Sequence, residues 1–229
     1  MKSHPHLSIV IPVFNEEGSI IPLFTSIVNA LHCYNYELIF VDDCSTDSTV
    51  LTINSLNTTR VKLISFDCNK GQSSALAAGI KLAKGTYIVT MDGDFQNDPS
   101  DVPKMIDLIF NEDLDMVIGI RHNRQDPILK TLPSKIANFI IRTTTQLQIT
   151  DSGCALKVMT SKTAKRIPLY GELHRFMALN AHINGAQIKE IPIIHHPRKH
   201  GVSKYGLART FKVLNDLSAI IIKHKMTKQ

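Results

Sequence analysis

The chain contains no tryptophan, and aromatic residues make up only 6% of its 229 residues. Single-stranded nucleic acid is usually held on aromatic side chains interleaved with basic ones, and no such interleaving is present, so no nucleic acid is expected as a partner. Only four cysteines occur, Cys33, Cys44, Cys68 and Cys154, scattered and without CxxC spacing. That pattern argues against a zinc site or a disulfide framework and predicts buried thiols in a reducing cytosol. No apolar run approaches the roughly 20 residues a spanning helix needs, and no signal peptide precedes Leu7. The expectation is a cytoplasmic protein, peripheral at the inner face of the cell membrane, with no transmembrane helix. A Walker loop and a GxGxxG fingerprint are also missing, which argues against a P-loop NTPase or an NAD-dependent dehydrogenase.

What is present is an alternation of strand-like and helix-like segments. Apolar runs predict strands over Leu7–Val13, Glu37–Val41, Val61–Phe66, Tyr87–Met91 and Asp115–Ile120. Between them, 3.6-residue spacing predicts helices near Ser19–Leu31, Asp47–Leu56, Gln72–Lys84 and Pro99–Phe110. Alternation of this kind, with right-handed crossovers, gives an α/β fold with a mostly parallel central sheet flanked by helices.

The chemistry gathers at the predicted strand ends. TYIVTMDGDFQ, residues Thr86 to Gln96, runs from an apolar strand straight into Asp92 and Asp94, separated by Gly93. Open α/β sheets bind ligands at that edge. Two carboxylates there, with Gln96 as a third oxygen donor, suit a hard divalent cation such as Mg2+ or Mn2+. The alternative is an ordinary Asp-Gly turn. The first strand ends in PVFNEE and the second in VDDCSTD, adding acidic and amide groups to the same edge. Asp42 and Asp43 there suit ribose or base contacts, with helix capping as the alternative, and for Asp47 capping is the favoured reading.

The formal net charge is +6, with basic residues enriched towards the C-terminus. RKHGVSKYG, from Arg198, concentrates cations around Gly201 and Ser203 and reads as a phosphate-binding loop, with a solvated basic loop as the alternative. Two amphipathic stretches, Leu129–Leu147 and Leu207–Lys225, carry apolar faces beside lysines and arginines. They fit interfacial helices on an anionic membrane surface, or else core packing or a homodimer interface.

In this order, IVIPVFNEEGSI, LIFVDDCSTDST, NKGQSSALAAGIKLAKG, IVTMDGDFQNDP, GIRHNR, DSGCALKV and HHPRKHGVSKYG resemble a family 2 inverting glycosyltransferase, in the dolichol-phosphate mannosyltransferase-like or polyprenyl-phosphate glycosyltransferase subgroup. The resemblance covers residue 7 to about residue 210. It implies a GT-A (Rossmann-like) fold in a single domain, 1–229. Residues 1–120 would form the nucleotide-sugar half, 121–205 the acceptor half, and 206–229 a C-terminal amphipathic helix. It further implies a nucleotide-diphosphate sugar donor, a divalent metal, and a polyprenyl phosphate acceptor; the alternatives are a saccharide hydroxyl in cell-surface polysaccharide synthesis and a catalytically silent nucleotide-sugar-binding protein. By the same resemblance, Pro12, Asn15, Glu16 and Asp42 would hold the nucleoside. Asp92 would lie near ribose and metal, Asp94 would be the main metal ligand, and Gln96 would assist. Arg121 and Ser134 would meet the acceptor phosphate, while Arg198, Ser203 and Lys204 would contact donor or acceptor phosphates.

Elementary chemistry gives these types a reason. Breaking a sugar-diphosphate bond builds negative charge on the departing phosphates, which a metal and the cations Arg198 and Lys204 would stabilise. A lipid monophosphate is already ionised and needs cationic orientation rather than a base. A sugar hydroxyl needs a carboxylate base instead, and Asp151 is the candidate. His174, His195 and His196 stay outside the catalytic set.

Overall fold

The computed structural model describes residues 6–121, 141–145, 147–197 and 216–220. Among the described residues seven strands form one sheet, in the order β3 (Val61–Ser65), β2 (Asn35–Asp42), β1 (His6–Val13), β4 (Tyr87–Thr90), β6 (Lys157–Thr160), β5 (Met116–Arg121) and β7 (Ile188–Ile193). β1 lies between β2 and β4, parallel to both. Leu7, Ile9, Val10 and Ile11 are completely buried, as expected for a strand covered by helices on both faces. β3 (Val61–Ser65) extends the sheet beyond β2. On the other side stand β5 (Met116–Arg121) and β7 (Ile188–Ile193), parallel to one another.

The expected strands are present within a residue or two of their expected ends. β6 (Lys157–Thr160) is an addition: it runs antiparallel between β4 and β5 in the middle of the sheet. At four residues and opening on a lysine, it carries almost no alternation by which to read it.

α1 (Glu17–Ala30) buries Ile20, Leu23 and Ile27 along one stripe. α2 (Thr49–Ser55) packs beside it, and α3 (Gln72–Leu82) lies over β1 and β2. Its small residues permit close approach: a Cβ at Gly79 would stand 2.4 Å from Val10. A 3-10 turn at Pro99–Asp101, capped by Asp98 on the Ser100 amide, leads into α4 (Val102–Glu112). That helix ends at Asp113 in a left-handed conformation (φ 50°).

Beneath the sheet, at the edge remote from the strand-end carboxylates, Glu37 ties three segments together. Its Oε1 accepts from Ser8 Oγ at 2.6 Å and the Lys84 amide at 2.7 Å, and its Oε2 from Lys62 Nζ at 2.5 Å. Burial alone would raise this carboxyl, but the Lys62, Ser8 and Lys84 hydrogen bonds and the Lys62 charge outweigh it, holding the pKa down to about 2.

The cysteines correct one expectation. All four are free thiols, but Cys33 and Cys68 are exposed and only Cys154 is buried. The exposed pair falls in connections beyond the strand and helix ends rather than in apolar segments.

Candidate active site

β1 separates a β1-β2-β3 half of the sheet from β4 and the strands beyond it, which makes the β1/β4 boundary a topological switch point. The Asp92-Gly93-Asp94 turn stands at that boundary. A Cβ at Gly93 would come within 2.6 Å of Val13 Cγ1 and 3.1 Å of the Pro12 carbonyl, so the turn needs a residue with no side chain to press against the end of β1. Phe95 then adopts a left-handed backbone (φ 57°), an uncommon conformation for an aromatic residue. Asp94 is buried, and its Oδ1 accepts the Gln96 amide at 3.1 Å.

Asp92 is set deep in the crevice while keeping part of its surface accessible. Burial and then the Asp94 charge push its carboxyl up to about 6, against the opposing pull of Lys157, Arg121 and Arg175. Like charges this close are what a divalent cation relieves, and the hard oxygens of the two carboxylates match Mg2+ or Mn2+. Among the described residues, no group of three or more His, Cys, Asp or Glu side chains is gathered at metal-binding distance. Gln72, at the start of α3, donates its Nε2 to Asp92 Oδ1 at 2.7 Å, a contact for which the sequence held no signal.

The loop before α3 is fixed from β2. Asp43 accepts the Lys70 and Gly71 amides at 2.6 and 2.9 Å. Gly71 has φ 86°, a backbone angle that favours glycine. Asp43, read from the sequence as a ribose or base contact, is thus engaged with backbone. Asp42 is buried and accepts the Ser45 amide at 3.2 Å on both oxygens. Asn15, with a left-handed backbone, accepts the Thr46 amide at 2.8 Å, and the Glu16 amide is taken by Thr49 Oγ1 at 2.8 Å. These contacts bring the ends of β1 and β2 together beside half-buried Pro12. Asp47 accepts the Thr49 amide at 2.9 Å at the start of α2, in keeping with its capping assignment.

On the far side of Asp92, Arg121 at the end of β5 meets Asp151 side-on. Nε donates to Oδ2 at 2.8 Å and Nη2 to Oδ1 at 2.7 Å, and the Arg121 backbone amide adds a bond to Oδ2 at 3.2 Å. Burial works against the charged guanidinium, but the Asp151 hydrogen bonds and charge prevail and hold its pKa above the ordinary arginine value. Glu190 supports the same turn by accepting the Asp151 amide at 3.0 Å. Lys157, in β6, is buried, and its Nζ donates to the Cys154 carbonyl. Burial lowers its pKa, opposed by the negative charges around it, Asp92 and Asp151 among them. The neighbouring Cys154 thiol is pushed up to about 11, by burial first and then by the Asp151 charge, and so stays neutral at physiological pH.

His174 occupies a 3-10 turn, Leu173–Phe176, and its Nδ1 meets Ser73 Oγ at 2.9 Å, joining that turn to α3. The chain after β7 returns to the carboxylate turn. His195 bridges Asn97, the His196 amide donates to the Gln96 carbonyl at 2.8 Å, and His196 Nε2 meets Asp98 at 3.0 Å. RKHGVSKYG begins directly after Pro197, and Arg198, Ser203 and Lys204 lie outside the described residues, as does Ser134. Of the two amphipathic stretches, residues 141–145, Leu147 and 216–220 are described; 141–145 and 216–220 are helical and Leu147 is not. Ile141 and Leu217 are buried in the core, so at those positions the apolar face is used internally.

The switch-point edge of the sheet thus carries paired carboxylates on one side and an oriented guanidinium on the other. The chain belongs to glycosyl transferase family 2, whose family model matches residues 8–167. It is 40% identical over 223 residues to dodecaprenyl-phosphate galacturonate synthase of Rhizobium johnstonii, covering 94% of this chain and 66% of that protein. It is 32% identical over 221 residues to undecaprenyl-phosphate 4-deoxy-4-formamido-L-arabinose transferase of Edwardsiella ictaluri, covering 94% of this chain and 68% of that protein. The chain therefore spans about two-thirds of the length of these curated relatives. In fold it is similar to glucosyl-3-phosphoglycerate synthase of Mycobacterium tuberculosis, solved with Mn2+ and UDP-glucose. The TM-score is 0.77 at 17% identity, over 96% of this chain and 80% of that one. The GT-A fold class read from the sequence is the one observed. No helix among the described residues is long and apolar enough to cross a membrane.

Proposed function

We propose that the protein transfers a sugar from a nucleotide diphosphate to a polyprenyl phosphate at the cytoplasmic face of the membrane, using Mg2+ or Mn2+. The observation that carries this reading is the side-on pair of Arg121 and Asp151. Both carboxylate oxygens of Asp151, the one candidate base read from the sequence, already serve the guanidinium. A hydroxyl acceptor would need a carboxylate ready to take its proton. A lipid monophosphate arrives ionised and needs only a planar, fixed cation to orient it, which Arg121 provides. The named lipid-phosphate transferases among the relatives support the same choice of acceptor.

Asp94, Asp92 and the side-chain oxygen of Gln96 would hold the metal; the Gln96 nitrogen is committed to the His196 carbonyl at 3.2 Å. The metal, when bound, would neutralise the diphosphate leaving group. Pro12, Asn15, Glu16 and Asp42 would line the nucleoside side, through a frame made rigid by their own backbone contacts. Arg198, Ser203 and Lys204 would contact the phosphates, since the described chain reaches Pro197 beside the carboxylate turn.

The test is a screen of nucleotide sugars for thermal stabilisation of the protein with Mg2+ or Mn2+, followed by offering the best donor to polyprenyl phosphate and to saccharides. Lipid product is expected. Donor stabilisation with transfer only to a saccharide hydroxyl would overturn the acceptor assignment.

A further inference from the structure

Lys157 takes no part in the sequence reading, yet it is one of the most deeply buried charges in the described chain, 2% exposed. It sits in β6 opposite Thr90 of β4 and Ile118 of β5, two residues before Asp92 along one strand and three before Arg121 along the other. An ammonium costs free energy to remove from water unless something in the fold uses it. Here the use is visible: Nζ donates to the Cys154 carbonyl. Cys154 in turn donates its amide to the Asp151 carbonyl at 3.1 Å, closing the Asp151–Cys154 turn. The same turn presents the Asp151 carboxylate to Arg121, and a Cβ at Gly153 would stand 3.5 Å from Arg121 Nη2. Downstream of the turn, Thr90 Oγ1 holds the Ala155 carbonyl at 2.8 Å and the Gly119 amide holds that of Leu156 at 3.0 Å. Lys157 therefore holds the Cys154 end of the turn from within the sheet, as Glu190 of β7 holds its Asp151 end through the Asp151 amide at 3.0 Å.

We propose that Lys157 is a positioning residue for the acceptor. By anchoring the Asp151–Cys154 turn from below, it fixes the Arg121–Asp151 pair at the angle that receives the incoming phosphate. The inference rests on the reading of Arg121 as the acceptor-phosphate contact, and it extends that reading to a residue that touches neither substrate. A charge-assisted bond to a carbonyl is stronger than a neutral one, and small misplacements of a positioned group lower rates out of proportion to their size.

The test compares Lys157→Met and Lys157→Gln with the unaltered protein by thermal melting, calorimetric affinity for the nucleotide sugar, and steady-state transfer to polyprenyl phosphate. Both variants are expected to fold, and KM for the lipid phosphate is expected to rise on the order of 10- to 100-fold, well beyond the smaller loss of donor affinity that follows from removing the Lys157 charge beside Asp92. A purely structural lysine would not separate the two substrates in this way. Unchanged KM, an equal loss of donor and acceptor affinity, or loss of folding in both variants would overturn the proposal. An unaltered protein that binds donor but makes no lipid product would overturn the acceptor reading and this inference with it.

Discussion

The Arg121 guanidinium and the Asp151 carboxylate, thirty positions apart in the chain, meet through parallel hydrogen bonds of 2.8 and 2.7 Å. The pair does two things. It keeps the arginine in one plane beside Asp92, and it occupies the carboxylate that would otherwise be the natural base.

Arg121→Lys retains the charge but loses the planar fork. An ammonium cannot meet Asp151 and a phosphate with the same fixed geometry. The expected result is at least a tenfold rise in KM for the lipid phosphate, about 1.4 kcal/mol, with donor affinity unchanged. Steady-state kinetics with each substrate varied in turn would check it; an equal effect on both substrates would argue that Arg121 serves the donor.

Gln72 offers a second test, on the other side of Asp92. Its amide bond to Oδ1 holds the carboxylate in one rotamer. Losing a hydrogen bond to a charged group costs roughly 1.5–3 kcal/mol. Gln72→Ala should therefore weaken metal-supported donor binding by about tenfold or more, and Gln72→Glu, which replaces a donor by a third carboxylate, should do so more severely. Calorimetry with and without Mn2+ would report both.

Glu37 makes the pH dependence of stability specific. Its carboxyl sits at about 2 in the fold against an ordinary value of 4.5. A depressed acid stabilises the fold above its unfolded value, and that contribution is lost as pH falls from about 4.5 towards 2. The contribution is on the order of 3 kcal/mol at neutral pH. Glu37→Gln should lower the melting temperature at pH 7, and the difference from the unaltered protein should shrink through that acid window. A constant difference across it would show that the loss is packing rather than charge.

Much of this was legible in the sequence because it is local. The strands of the first half declare themselves by uninterrupted apolar runs, and Asp92 and Asp94 by falling where such a run stops. What escaped depends on residues remote in the chain. Nothing near Gln72 indicates that it meets Asp92 twenty positions later, and β6, at four residues, is too short to show a period. Asp43 is a further case: the Lys70 and Gly71 amides that meet its two oxygens lie 27 and 28 positions further on. Gly93 was visible as a glycine, but its reason, the pressure of the turn against Val13 and Pro12, belongs to the fold.

The most direct measurement is transfer of sugar from the best nucleotide-sugar donor to polyprenyl phosphate, with Mg2+ or Mn2+, by the unaltered protein and by Asp94→Ala. The account predicts lipid-linked sugar from the first and none from the second, with the variant's far-ultraviolet circular dichroism unchanged. Full transfer by Asp94→Ala would contradict it.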